Sequence, residues 1–533
     1  MKKYLTTINI VFSVSLSLVV LIAFGMIPRT WAFLFLTLYV GFVLLSPAKR
    51  GVDLFLRSIP FFIALPITEA FDNFNIWRVI IILIFFKWIF ENGRWKEYIN
   101  SLLKISRLEG FIKKNIAETL GIVFLIFAAV SILVPIDYIT SIRKLIYIVN
   151  AALLFVVARA LVKENRKNMF SFSRNFAYSG LLVVFFGFVQ YIAAYTIPTY
   201  VFHYWWGQVV SLGMYGTNWA EIATHFGNTW FSYSGDTLRL RMFSMFPDSH
   251  TFPMYVIMTM PAMFVLAFSR VRVFGKYLKN KGEKLLRGSQ AWKYAAVFGV
   301  INLALILSGT RGIWLASFCA LFVAWLLIIF KAEKKFARIL VVSFLIFLLM
   351  FPVYFSLDLF PQFRDTDTTT SASLNRLRSI ADFGEVSNKG RIHIWQQTVE
   401  YIAQSPVLGV GLGNYSLVLG EPLSAMLMGA SAHNLYLDIA STIGVFGLMA
   451  FLWMLFEITR ISIKYIKNNP RSIYALYLVV MLFSLAWIAG YMMTDSALYD
   501  GRALLAFFGM LGMGVGIMRY TDYDNKTKDN ENK

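Results

Sequence analysis

Charge and sulfur are what this sequence has least of. Only 15% of its 533 residues are charged, there are five histidines, and the one cysteine is Cys319. A lone cysteine inside an apolar run excludes an intrachain disulfide and a cysteine-rich metal centre, and it leaves the redox compartment open. Acids are scarcer than bases, 29 against 50, for a net charge of +21. No internal repeat is visible, and no polar stretch is long enough for a separate soluble catalytic domain. What the chain has in abundance is apolar surface. Hydrophobic residues make up 58% and aromatics 17%, with a mean hydropathy of +0.63. Soluble domains stay near or below about 50% apolar, so the composition predicts an all-α polytopic membrane protein.

A helix needs about 20 apolar residues to cross a bilayer, fewer when its ends are snorkelled. Runs of that kind fall near 8–27, 31–46, 57–71, 76–90, 117–134, 143–161 and 176–196. They resume near 252–269, 294–309, 312–330 and 338–356, and again at 433–456, 473–492 and 503–518. The expectation is about 12–14 transmembrane helices. The run 57–71, interrupted by Pro60 and Pro66, is the weakest and either spans or re-enters. The N-terminal run follows Met1-Lys2-Lys3 without an obvious small-x-small cleavage site, and reads as a retained first helix.

The placement of Lys and Arg orients these spans. Segment 91–114 carries six basic residues against three acids, and 270–293 carries eight against one. With the N-terminus inside, these and the basic segments 157–175, 331–338 and 457–471 all fall on the cytoplasmic side, as the positive-inside rule requires. The long loops 197–251 and 357–432 then lie outside, and the second has five bases and seven acids. The basic excess is therefore topology and lipid-headgroup contact, not a nucleic-acid surface. The organisation follows: N-terminal spans over 1–196, a first outer loop 197–251, central spans 252–356, a large outer loop 357–432, C-terminal spans 433–518, and a polar, disordered cytoplasmic tail 519–533.

All five histidines (His203, His225, His250, His393 and His433) fall in predicted outer segments, without the spacing of a zinc site. Arginines are more informative. Arg311 sits in the turn LSGTRGIW between two apolar runs, either as a functional group needing a partner or as a snorkelling anchor. Arg239 and Arg241 stand in RLRMFSMFPDSH. Arg391 opens GRIHIWQQTVEYIAQSPVLGVGLGNY, which reads as an amphipathic helix to about Gln404 and then a Pro/Gly turn. Guanidinium forks match phosphate oxygens, so arginines converging at the lipid boundary would suit a membrane-bound diphosphate. GVGLGN lacks a surrounding βαβ unit and SGTRG lacks a Lys-Ser/Thr, so neither is a nucleotide site. Trp205 and Trp206 in YVFHYWWGQ are interfacial belt residues or, less simply, faces for stacking sugars.

GRIHIWQQ, SPVLGVGLGNY and SAHNLYLDIASTIGVFG, in that order over 390–447, resemble the O-antigen ligase and polymerase family of bacterial membrane glycosyltransferases. LSGTRGIWLA resembles the family's Ser-Arg-Gly turn. RMFSMFPDSHTF resembles its Arg-containing stretch more loosely, with His250 where Asn is expected. The resemblance covers roughly 240–450 and does not separate ligases from polymerases. It implies a glycosyltransferase-C-like fold and an inverting, metal-independent transfer with no cofactor. The donor would be an undecaprenyl-diphosphate-linked glycan and the acceptor a lipid or saccharide hydroxyl, at the outer face of the bacterial inner membrane, among membrane lipids. The alternative is a polymerase joining lipid-linked repeat units; a transporter of lipid-linked sugars, which would place charges near the midplane, fits less well. The resemblance assigns catalysis to His433 and Arg311, and the diphosphate to Arg311, Arg241 and Arg391. Asn434, His250, Trp205 and Trp206 are weaker candidates for holding acceptor or glycan. A helix-capping role for the His433–Asn434 pair is the plain alternative.

Overall fold

A computed structural model gives the fold. It describes residues 6–69, 71–91, 112, 115–134, 137–225, 229–234, 237–269, 291–329, 334–357, 360, 362, 377–380, 382, 386–420, 431–470 and 472–520. Most of the basic segments 91–114 and 270–293, the tail 521–533 and the side chain of His225 therefore lie outside the described residues.

The chain is helical almost throughout. Its helices are α1 (Thr7–Ala23), α2 (Ala32–Leu45), α3 (Ala48–Ser58), α4 (Trp77–Phe90), α5 (Ile116–Val130), α6 (Tyr138–Glu164) and α7 (Asn168–Ala193). After a first outer region come α8 (Thr217–His225), α9 (Thr251–Ser269), α10 (Ala291–Leu307), α11 (Arg311–Ile329) and α12 (Lys334–Ser356). The second outer region carries α13 (Val386–Gln404), and the chain ends with α14 (Leu435–Ile443), α15 (Val445–Asn468), α16 (Ile473–Tyr491) and α17 (Gly501–Arg519). Among the described residues eight helices are long and apolar enough to cross a membrane, with four shorter apolar ones. The protein is an all-α, multi-pass membrane protein. Exposed Phe318, Phe322, Trp325, Trp453 and Phe456 face outward from it, as lipid-facing positions do.

Residues 57–71 do not form a helix of their own. Helix α3 ends at Ser58, a 3₁₀ turn covers Ile59–Phe61, and the chain runs extended into β1 (Ala64–Leu65), antiparallel to β2 (Phe74–Asn75). Pro60 cannot supply the N–H a continuing helix would need. The segment is tied to its neighbours at both ends all the same. At one end the Glu91 carboxylate accepts from the Ala48 N–H at 3.1 Å; at the other Asp72 pairs with Arg29 at 2.7 Å and accepts from the Thr217 N–H at 2.7 Å. Every residue from Gly51 to Leu65 is buried. Non-helical backbone at membrane depth is tolerated only when protein covers it.

Contacts of this kind give each face its members. The face of Arg29, Asp72 and Thr217, here called outer after the Lys/Arg placement, also carries the starts of α9, α11 and α14 and the turn 492–500. A second departure from the expected spans shapes it. The run 433–456 is two helices, α14 and α15, broken at Gly444 with φ 91°. The turn after α13 is pressed into that break: Val445 N–H donates to Pro406 O at 2.8 Å and Val410 N–H to Ser441 O at 2.8 Å. A Cβ at Gly444 would lie 1.9 Å from Val407 O, and one at Gly409 would lie 2.1 Å from Ser441 O. Both positions require glycine, and the Pro/Gly turn thereby fixes the start of α14 against the outer loop.

Candidate functional site

Three short connections meet at the outer face: 241–250 leading into α9, 307–311 between α10 and α11, and 492–500 between α16 and α17. Backbone bonds lock the first two together. Met242 N–H donates to Leu307 O at 2.9 Å, and the Thr310 hydroxyl donates to Ser249 O at 2.7 Å. Asp248 caps α9 by accepting from the N–H groups of His250 and Thr251, at 2.8 and 2.7 Å.

Arg241 and His250 stand where these connections join. The Arg241 guanidinium is buried and donates to Ser308 O and the Thr310 hydroxyl, each at 3.2 Å. His250 Nδ1 lies 2.8 Å from the Asp495 carboxylate and 3.2 Å from the Tyr491 hydroxyl, while Nε2 faces Arg241 at 3.5 Å. Arginine can only donate, so this geometry favours the tautomer with the proton on Nδ1, directed at Asp495. His250 thus bridges a guanidinium and a carboxylate. Burial alone would raise the Asp495 carboxyl, but His250, with His433 and Arg391 nearby, outweighs it and holds Asp495 well below the usual carboxylate range.

His433 approaches from the other side. It has φ 45°, left-handed backbone that a non-glycine residue adopts at a cost of about 1–3 kcal/mol. What fixes it is on either flank. Trp395 of α13 donates its indole N–H to Ala432 O at 2.8 Å, and Leu435 N–H donates to Met492 O at 2.8 Å. The capping alternative applies to Asn434, whose side-chain oxygen accepts from Tyr436 and Leu437 N–H at 3.0 and 3.2 Å. His433 is left to point elsewhere. Burial pushes its imidazole below the usual range; Asp495 works against that, and Arg391 and His250 reinforce it. His433 and Asp495 thus influence each other, and each feels both Arg391 and His250.

The structure therefore brings together His433, His250, Arg241 and Arg391. Arg311 sits one residue beyond Thr310 and donates to the backbone and hydroxyl oxygens of Ser379, at 3.0 and 2.7 Å, which ties α11 to the second outer region. Arg239 lies over the Tyr354 ring at 5.3 Å. The two tryptophans diverge: Trp206 packs edge-on against Phe243, two residues from Arg241, whereas Trp205 packs against Phe24 at the end of α1. His203 packs beside Trp230, and His393 is exposed on α13. Among the described residues no cluster of His, Cys, Asp or Glu could hold a metal ion.

Sequence reasoning missed Asp495 and Tyr491. The segment TDSALYD reads as an ordinary turn, and the usable signal was a pair of acids at the outer end of a span. The arrangement offers a largely neutral imidazole, fixed cationic groups and a carboxylate that orients them, at the lipid boundary of a membrane protein. No curated protein matches the chain. Residues 295–452, which include Arg311, Arg391, His433 and Asn434, match the family model described as O-antigen ligase. Over that segment, which carries these four residues, the chain is similar to O-antigen ligases.

Proposed function

We propose that this protein transfers a glycan from a polyprenyl-diphosphate carrier to an acceptor hydroxyl at the outer face of the bacterial cytoplasmic membrane. The observation that carries the reading is His433: strained, half-buried, depressed in basicity and within reach of Asp495, Arg391 and His250. A neutral imidazole can accept the acceptor hydroxyl's proton as the new glycosidic bond forms. As the old bond breaks, negative charge grows on the departing diphosphate. Cationic groups such as Arg241, Arg391 and Arg311 stabilise that charge more in the transition state than in the ground state. Attack from the face opposite the leaving group inverts the anomeric centre. The guanidinium groups supply the charge that a divalent ion would otherwise bring.

Complementation in cells with His433→Ala and Arg311→Ala tests this, reading glycan on its lipid carrier and on the final acceptor. Both variants are expected to reach the membrane at normal levels while lipid-linked glycan accumulates. Accumulated long chains mean that the blocked step is ligation; accumulated single repeat units mean polymerisation. Unchanged glycan distribution would sink the assignment of the site.

A further inference from the structure

A further cationic cluster stands at the outer face, where the starts of α4 and α6 meet the end of the turn 492–500. The Arg78 guanidinium, in the first turn of α4, lies over the rings of Tyr147 and Phe74, at 5.2 and 5.5 Å. The Lys144 ammonium of α6 lies over Tyr499 at 4.4 Å and over the same Tyr147 ring at 5.6 Å. Bonds that do not involve either charged group hold these walls together. The Tyr147 hydroxyl donates to Tyr499 O at 3.3 Å, and the Asn150 amide donates to Arg78 O at 3.4 Å. Arg78, Lys144, Tyr147 and Tyr499 are all half-buried, so the cluster is reachable from outside.

What the two cations lack is an anion. Among the described residues neither charged group donates a hydrogen bond or joins an ion pair, and Arg78 Nε is buried without an acceptor. Asp438 and Asp500 lie within electrostatic reach of Lys144, but both are engaged elsewhere. Asp438 accepts from the Ser496 hydroxyl, and Asp500 caps α17, accepting from Arg502 and Ala503 N–H at 2.8 and 3.2 Å. An aromatic face positions a cation without cancelling its charge. Arg78 and Lys144 therefore repel each other across one ring, and an anion between them relieves the repulsion. A carboxylate has two coplanar oxygens, which a single guanidinium fork can fill. A phosphate spreads its oxygens in several directions and can meet a fork and a separate ammonium at once.

The cluster adjoins the site through two elements they share. Asp438, in reach of Lys144, stands one helical turn past Asn434 on α14, a rise of about 6 Å. Its partner Ser496 directly follows Asp495. The elements that build the cluster supply none of Arg241, Arg311 and Arg391, which come from the connections 241–250 and 307–311 and from α13. We infer that Arg78 and Lys144 bind a phosphate group carried by the acceptor, which holds the acceptor hydroxyl towards His433 while the donor diphosphate lies at the other arginines. The inference rests on the transferase reading above and adds a substrate class, a phosphorylated acceptor.

The test uses the full chain in phosphatidylcholine nanodiscs, with octyl glucoside 6-phosphate and octyl glucoside as probes. Arg78→Gln and Lys144→Met change two different helices, and thermal unfolding verifies that each is folded; should one not fold, the other carries the measurements. Each is expected to weaken binding of the phosphorylated probe about tenfold, the loss of one charge-assisted bond, and to leave octyl glucoside unaffected. Equal binding by wild type and variants overturns the inference and makes the two cations structural. Loss in Arg241→Gln instead overturns it by placing the phosphate on the donor side. In membranes that hold the native acceptor, the phosphorylated probe should slow transfer without raising the donor's KM; a raised donor KM counts against the inference in the same way. Phosphatidylglycerol retained by the wild type and lost from both variants, read by native mass spectrometry, would assign the cluster to a lipid headgroup and overturn the acceptor. All these outcomes leave the transferase reading intact. That reading fails separately, if His433→Ala leaves glycan distribution unchanged in cells; the acceptor assignment then falls with it, and probe binding decides the phosphate site alone.

Discussion

Two charged clusters sit at opposite faces of this protein, and they are built differently. At the inner face Glu118, in the first turn of α5, lies between Arg159 of α6 and Arg519 of α17, with N–O distances of 2.7 and 2.9 Å. Asn115 also accepts from Arg159, at 3.0 Å. One carboxylate clamps three helices through direct charge-assisted bonds. At the outer face the carboxylate Asp495 is paired with an imidazole. Arg241 is held by a carbonyl, a hydroxyl and that imidazole, and His433 carries backbone strain. The inner cluster fastens helices. The outer one keeps titratable groups and positive charge at a place where a diphosphate and an acceptor would meet.

The comparison breaks most sharply at His433. His433→Gly removes the imidazole but keeps a residue that adopts φ 45° freely. Transfer is expected to fall by about 10²- to 10⁴-fold, the usual contribution of a positioned acid–base group. The melting temperature should hold or rise, because the strain is relieved. Loss of activity with loss of fold would make His433 a structural residue. Glu118→Ala should do the reverse. It leaves two half-buried arginines without their carboxylate; breaking a fully buried pair typically costs about 3–5 kcal/mol, and a smaller part of that is expected here. Denaturation should show that loss, while transfer per folded molecule stays at the wild-type level. A transfer defect in correctly folded Glu118→Ala would mean that the two faces are coupled.

Asp495→Asn comes next in size. It removes the charge that holds His250 against Arg241 and supports the protonated form of His433. Transfer at neutral pH should drop by about 10- to 100-fold, in the range for lost orienting contacts. The acid limb of the pH profile should move to lower pH, since the His433 imidazolium loses a stabilising neighbour. A limb moving upward would place Asp495 out of His433's reach.

The sequence carried the fold class well, because that rests on a gross quantity, apolar run length. It failed where a buried segment does not look apolar. Helix α3, AKRGVDLFLRS, hides Asp53 and Arg57 among neighbours; Asp53 accepts from the Ser171 hydroxyl and the Asn175 amide, and Arg57 bonds Asn9. Hydropathy counts those charges against membrane burial, whereas the structure satisfies them through helices distant in sequence. The same reason hid Asp495, whose meaning comes from His250, far away along the chain. His433 stood out as a candidate because its surrounding motif is local. Its strain was not, since that depends on Trp395 and Met492 holding both flanks.

Arg391→Gln gives the smallest and most discriminating effect. In the free protein the Arg391 charge disfavours the His433 imidazolium and helps keep His433 neutral. Without it the imidazole holds its proton to higher pH, so the acid limb of kcat/KM should move upward, opposite to the shift in Asp495→Asn. The rate on the alkaline side of the limb should also fall, by about tenfold or less, if Arg391 faces the departing diphosphate. Raised ionic strength weakens exposed charges more than buried ones. Half-exposed Arg391 should therefore lose part of its effect in high salt, bringing wild type towards the variant. Arg519→Gln at the inner face serves as the control: it removes the same charge and should leave the limb in place. An unmoved limb in Arg391→Gln would separate α13 from the proton-transfer step and leave Arg391 acting on the diphosphate alone.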